Sequence, residues 1–159
     1  MSKMIEAINK VLRVVTGALI GIMSLIVFAN VLSRYVLHFS LIWSAELAEY
    51  CMVWAAFLGA AVLVSKGEHL VVDLLERNIK GLIRKALQIM VLFVSIVFFA
   101  AVTIFGTQLV IKTRGQVASS MRFLPMNLVY LIIPLSGILM IIGTVHQFLL
   151  ILHNRRVDK

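Results

Sequence analysis

Arg34, Glu46 and Glu49 fall close together in NVLSRYVLHFSLIWSAELAEYCMVWAAFLGAA, between two strongly apolar runs. Ionisable side chains in such surroundings are the first candidates for chemistry, because each costs at least ~2.5 kcal/mol at a bilayer centre unless it is paired or hydrated. Glu46 and Glu49 stand about 60° apart on a helical wheel, an arrangement open to proton or ion transfer. Arg34, at the end of the preceding apolar run, offers the alternative of a clamp across a short loop to Glu46 or Glu49. Pairing with Arg34 or with a partner chain is the preferred reading.

The remaining polar residues offer less. Among His38, His69, His146 and His153 only His146 lies well inside an apolar run, so a haem held between two imidazoles on neighbouring helices has weak support. Thr103 and Thr107 are an i,i+4 pair, a spacing at which hydroxyls bond their own helix or a neighbour. Cys51 is the single cysteine and has no partner for an intramolecular disulfide. No nucleophile with its base, phosphate-cradling loop or metal-spaced ligand set is present. The expectation is a protein that is not an enzyme and carries no metal or cofactor.

The elements that place these residues follow from composition. Of 159 residues, 62% are hydrophobic and 14% charged, too apolar for a surface facing water. Spans are expected at about 14–34, 42–65, 86–111 and 123–152, because a hydrocarbon core of roughly 30 Å needs about 20 helical residues. The second apolar run reaches that length only if its helix starts near Leu41, which puts Glu46 and Glu49 at the outer interface. Runs such as LQIMVLFVSIVFFAAV lack the alternation of a membrane β-strand. The fold class is an all-α membrane protein of one four-helix domain.

A net charge of +8 would suggest nucleic acid in a soluble chain. Here its distribution sets topology instead. Eleven of the fifteen lysines and arginines lie before the first span, between the second and third, or after the fourth, which puts both termini in the cytoplasm. The first apolar run is longer than a signal-peptide core and no clear cleavage site follows, so it is read as a retained span.

Two amphipathic segments flank the spans. Residues 2–13 place Lys3, Glu6, Lys10 and Arg13 on one side and apolar residues on the other, fitting a lead-in along the headgroups or a straight extension of the first span equally. HLVVDLLERNIKGLIRK reads as an interfacial helix over about 69–84, with Arg77, Lys80, Arg84 and Lys85 at the cytoplasmic headgroups of phospholipids. In the second span Trp43, Leu47, Tyr50 and Trp54 form a bulky face, and Ala45, Ala48, Ala55 and Gly59 a smooth one. The smooth face is expected to meet another helix, since small residues let backbones approach in lipid. Gly17 and Gly21 form a GxxxG step with the same potential. Pro134 should kink or loosen the fourth span.

NVLSRYVL, SLIWSAELAEY, VWAAFLGAA, KGEHLVVDLLE and FLPMNLVYLIIPLSG, taken in this order, resemble the small membrane subunit of TRAP transporters, the tripartite ATP-independent periplasmic systems for organic acids. The resemblance implies a non-catalytic inner-membrane subunit that scaffolds a large multi-span subunit. That partner would hold the sodium and substrate sites, and a soluble periplasmic binding protein would deliver a substrate of the sialic acid or C4-dicarboxylate class. On this reading Ala45, Ala48, Ala55 and Gly59 are a close-packing face, and Arg34, Trp43, Glu46 and Glu49 are outer structural or docking residues. Lys112, Arg114 and Arg122 are candidates for contact with the binding protein. The competing readings are a self-sufficient proton-coupled exporter driven by Glu46 or Glu49, and a haem-bearing membrane anchor.

Overall fold

The computed structural model describes residues 2–66 and 82–154. Its long helices are α1 (Ser2–Val36), α2 (Ile42–Lys66), α3 (Leu82–Lys112) and α5 (Ile132–Asn154), with a short α4 (Met126–Tyr130) leading into the last. Four segments of these helices are long and apolar enough to cross a membrane. The expected interfacial helix with Arg77 and Lys80, and the side chains of Arg84 and Lys85, lie outside the described residues.

α1 runs unbroken for 35 residues, about 52 Å at helical rise. The N-terminal lead-in continues the helix of the first apolar run without a break. Ile5 and Asn9 in it are buried.

The long helices form a row, α1 on α2, α2 on α5, and α5 on α3. Exposed aromatic rings cover it, Phe28, Phe93, Phe98 and Phe105 each more than 60% accessible. An apolar exterior of this extent suits lipid and would aggregate in water.

The α1–α2 seam has a regular basis. On α1 the least exposed positions are Ile5, Asn9, Leu12, Thr16, Leu19, Met23, Ile26, Asn30 and Ser33; on α2 they include Ser44, Ala48, Cys51, Ala55, Leu58, Val62 and Ser65. Both series alternate steps of four and three. That mean spacing of about 3.5 keeps one stripe of each helix on its neighbour, as in a left-handed coiled coil.

Where α5 meets its neighbours, glycine sets the separation. A Cβ on Gly143 would lie 2.8 Å from Ser65 Cα, and one on Gly106 would lie 2.7 Å from Ile133 Cγ2. Gly137 likewise rests on Thr103 and on the Phe99 carbonyl. Beside these crossings Ala61, Val64, Phe99 and Met140 form a buried cluster.

Pro134 accounts for the break between α4 and α5. Proline has no N–H to donate to the carbonyl four residues back, and its ring crowds that carbonyl. The residue four back is Tyr130, where α4 ends.

Candidate functional site

Several side-chain hydrogen bonds between elements lie near the two ends of the helix row. At one end Glu46, in the second turn of α2, reaches a loop more than seventy residues away. Its Oε1 accepts the Ser119 N–H at 2.9 Å and its Oε2 the Ser120 N–H at 2.8 Å. The Ser120 hydroxyl also donates to Oε2, and the Tyr50 hydroxyl donates to Oε1 at 2.6 Å. Two successive backbone N–H groups aimed at one carboxylate form a small anion nest, and hydrogen bonds to a charged acceptor are the stronger kind.

The rest of the aromatic face of α2 continues this attachment. Trp54 Nε1 donates to the Val129 carbonyl at 3.0 Å, holding α4 against α2. Tyr50 also lies 3.3 Å from Met126 Sδ. Leu47, Tyr50 and Trp54 of the face that looked bulky in sequence are therefore the bracket for α4 and its preceding loop, and they line an open apolar hollow of about 190 Å³ with Leu19, Leu124 and Leu128.

The turn between α1 and α2 is closed by two seam residues. Asn30 Oδ1 accepts the Leu41 N–H at 3.0 Å, and the Ser33 hydroxyl donates to the Phe39 carbonyl at 2.7 Å. His38 takes a left-handed backbone conformation there, with φ 54°. At the opposite end the Ser65 hydroxyl is 2.7 Å from Asn9 Oδ1, and Gln147 Nε2 donates to the Ser65 carbonyl at 2.9 Å. That node ties α1, α2 and α5 together.

The expected clamp between Arg34 and the glutamates does not form. Arg34 is exposed and Glu46 is turned to Tyr50, Ser119 and Ser120. The reason is reach and direction: Glu46 faces the loop before α4, whereas Arg34 lies on the exposed side of α1, next to the buried Ser33. Glu49 is exposed and Trp43 is 40% accessible.

The smooth face divides. Ala48 and Ala55 are buried in the seam, and a Cβ on Gly59 would lie 3.8 Å from Thr16 Cγ2, so these three meet α1. Ala45 is exposed. Gly17 and Gly21 have nothing within 4 Å of an added Cβ, and the glycines that set crossings are Gly106, Gly137 and Gly143.

Lys112, the last residue of α3, is exposed, as are Arg114 and Arg122 on the loop that Glu46 holds. Thr103 and Thr107 donate to the carbonyls of Phe99 and Thr103 within their own helix. The sequence reading missed Ser119 and Ser120, whose contribution is mostly backbone N–H and so carries no residue-type signal. It also missed Ser65 and Gln147. Among the described residues, no three of His, Cys, Asp and Glu come together in a way that could hold a metal ion.

The fold and these contacts define a multi-pass membrane protein whose polar side chains fasten its own helices and one loop. Residues 23–154 match the family of tripartite ATP-independent periplasmic transporters, DctQ component. A putative TRAP transporter small permease protein of Haemophilus influenzae is 30% identical over 79 residues, half of this chain and 49% of that one. The sialic acid TRAP transporter permease protein SiaT of another Haemophilus influenzae strain is 37% identical over 98 residues, 62% of this chain and 15% of that one. The C4-dicarboxylate TRAP transporter small permease protein DctQ of Vibrio cholerae is 32% identical over 65 residues, 41% of this chain and 28% of that one. The matched stretches thus span about half or less of these relatives. The chain belongs to the DctQ family of TRAP transporter components.

Proposed function

We propose that this chain is the non-catalytic small permease subunit of a sodium-coupled TRAP transporter in a bacterial inner membrane, with both termini in the cytoplasm. Its row of helices scaffolds a large multi-span subunit that carries the sodium and substrate sites. Lys112, Arg114 and Arg122 help receive a periplasmic binding protein. The cargo is an organic acid of the sialic acid or C4-dicarboxylate class, after the names of the relatives.

The observation that carries this reading is the use of the polar groups. Glu46, one of the two carboxylates considered for coupling, accepts hydrogen bonds from Tyr50, Ser119 and Ser120, and Ser65 binds both Asn9 and Gln147. Such groups support a scaffold better than a carrier, because a carrier site must exchange its partners during each cycle. The exporter reading gains nothing from an occupied Glu46. In SiaT the matched stretch is a small part of a much longer permease, which supports close association with a larger membrane partner.

The test is co-expression with a tagged large subunit from the same transporter. The two should co-purify, and proteoliposomes should take up the acid in response to a sodium gradient only when both subunits and the binding protein are present. Uptake or export by this chain alone would overturn the proposal. Topology follows from single cysteines in a Cys51→Ala background: Arg122→Cys should react with an impermeant maleimide added outside, and Lys3→Cys only after the membrane is opened.

A further inference from the structure

Among the described residues, the loop from Thr113 to Pro125 is a segment organised for water on the apolar row. Gly115, with φ 87°, turns the chain. Ala118 N–H donates to the Leu124 carbonyl at 3.0 Å, Leu124 N–H to Met121 at 2.9 Å, and Met126 N–H to Gln116 at 3.0 Å. Val117 and Pro125 pair as an isolated antiparallel bridge. Ala118 and Met121 are buried beneath the loop, whereas Arg114 and Arg122 are exposed and Phe123 is 82% accessible.

Glu46 clasps this loop at Ser119 and Ser120, between the two arginines in sequence. Cations that serve only lipid phosphates need no such support, because long side chains reach headgroups from any backbone. A fixed backbone showing two arginines and a bare phenylalanine is what a protein partner rewards, since the ordering cost is met before encounter. Arginine and aromatic residues are also the types enriched in protein interfaces.

We propose that Glu46 is a positioning residue for docking: its carboxylate holds the 113–125 loop in the conformation that presents Arg114, Arg122 and Phe123 to an acidic patch with an apolar centre on a water-soluble protein. This rests on the reading that the loop lies on the outer side of a TRAP complex, where the soluble component is the periplasmic binding protein. Glu46→Gln would turn one carboxylate oxygen into an NH2 donor facing the donors of Ser119 or Ser120, so the clasp opens while the arginines remain.

The experiment uses the complex of this chain with its large subunit in phosphatidylcholine nanodiscs and measures the affinity of the labelled binding protein from the same transporter. Arg114→Gln with Arg122→Gln should weaken docking by about tenfold or more, and by less at high salt, as for paired charges at an interface. Phe123→Ala should weaken it by about fivefold or more, as an exposed aromatic anchor does. Glu46→Gln should weaken it by about three- to tenfold, yet by less than about twofold on the double-arginine background, because residues acting through one another are not additive.

Glu46→Gln within twofold of the unaltered complex, or a full additive loss on that background, overturns the positioning role. If Glu46→Gln does not assemble, Ser120→Ala removes one donor from the clasp and should weaken docking measurably; unchanged docking overturns the role. Unchanged docking in the arginine variants means that these cations serve headgroups, and the proposal falls while the subunit reading stands. Failure of the large subunit to co-purify with the unaltered chain sinks the underlying reading instead.

Discussion

Gly143→Ala tests the packing between α2 and α5 at its tightest point. The added Cβ would stand 2.8 Å from Ser65 Cα, 3.0 Å from Ser65 Cβ and 3.2 Å from Ser65 N, where ordinary contact begins at 3.4 Å. The nearest obstacle is backbone, so no rotamer change relieves it, and the helices must part by about 0.6 Å, the difference between 3.4 and 2.8. Overpacking of this kind costs about 1–3 kcal/mol. The shift also strains the Gln147 bond to the Ser65 carbonyl, worth about 0.6–1.7 kcal/mol between membrane helices. Together the loss is about 2–5 kcal/mol, a fall in melting temperature of about 4–20 °C for a chain of this length.

Cys51 supplies the assay, since the single cysteine is free and buried. A maleimide dye should report unfolding as the thiol becomes reachable during a thermal scan in mild detergent. Gly17→Ala is the internal control, because an added Cβ there has nothing within 4 Å. It should be neutral or stabilising by up to about 1 kcal/mol from helix propensity. Equal melting temperatures for the two variants would refute the assignment of the crossing to Gly143.

Three further outcomes follow from the contacts. Trp54→Phe removes the indole donor to the Val129 carbonyl and should lower stability by about 0.5–1.5 kcal/mol in the same scan. In a double-mutant cycle, Asn9→Ala and Ser65→Ala should be coupled by about 0.6 kcal/mol, a typical hydrogen bond between membrane helices; zero coupling would mean that the bond does not hold α1 to α2. Pro134→Ala restores an N–H able to reach the Tyr130 carbonyl, so hydrogen–deuterium exchange at residues 131–135 should slow as α4 and α5 join.

The family was legible because the residues at its helix ends are specific, and several have a visible use in this structure. Asn30 caps the turn onto Leu41, Glu46 and Trp54 secure the loop and α4, and Pro134 divides α4 from α5. The choice of packing face was not legible in the usual way. Hydrophobic periodicity marks a buried side only when the other side meets water, and in lipid both sides are apolar. Two stripes of small or polar residues competed on α1, one through Asn9, Thr16, Asn30 and Ser33 and one through Gly17, Gly21 and Ser24. Only the first is the seam with α2.

The sequence by itself determined the solvent, the number of spans, the position of the helix break and the family, since these depend on composition, local run length, proline chemistry and residue order along one segment. The tertiary structure decided what the charges and glycines do. Arg34 and Glu46 are neighbours in the chain and partners in charge, yet Glu46 turns to Ser119 and Ser120 because the folding of the row brings that loop over α2 with two N–H groups aimed at its carboxylate. Gly143 and Ser65, far apart in sequence, are the pair whose separation sets the α2–α5 contact. Long-range pairing of this kind has no local signature, because a backbone donor and an absent side chain look the same in every sequence.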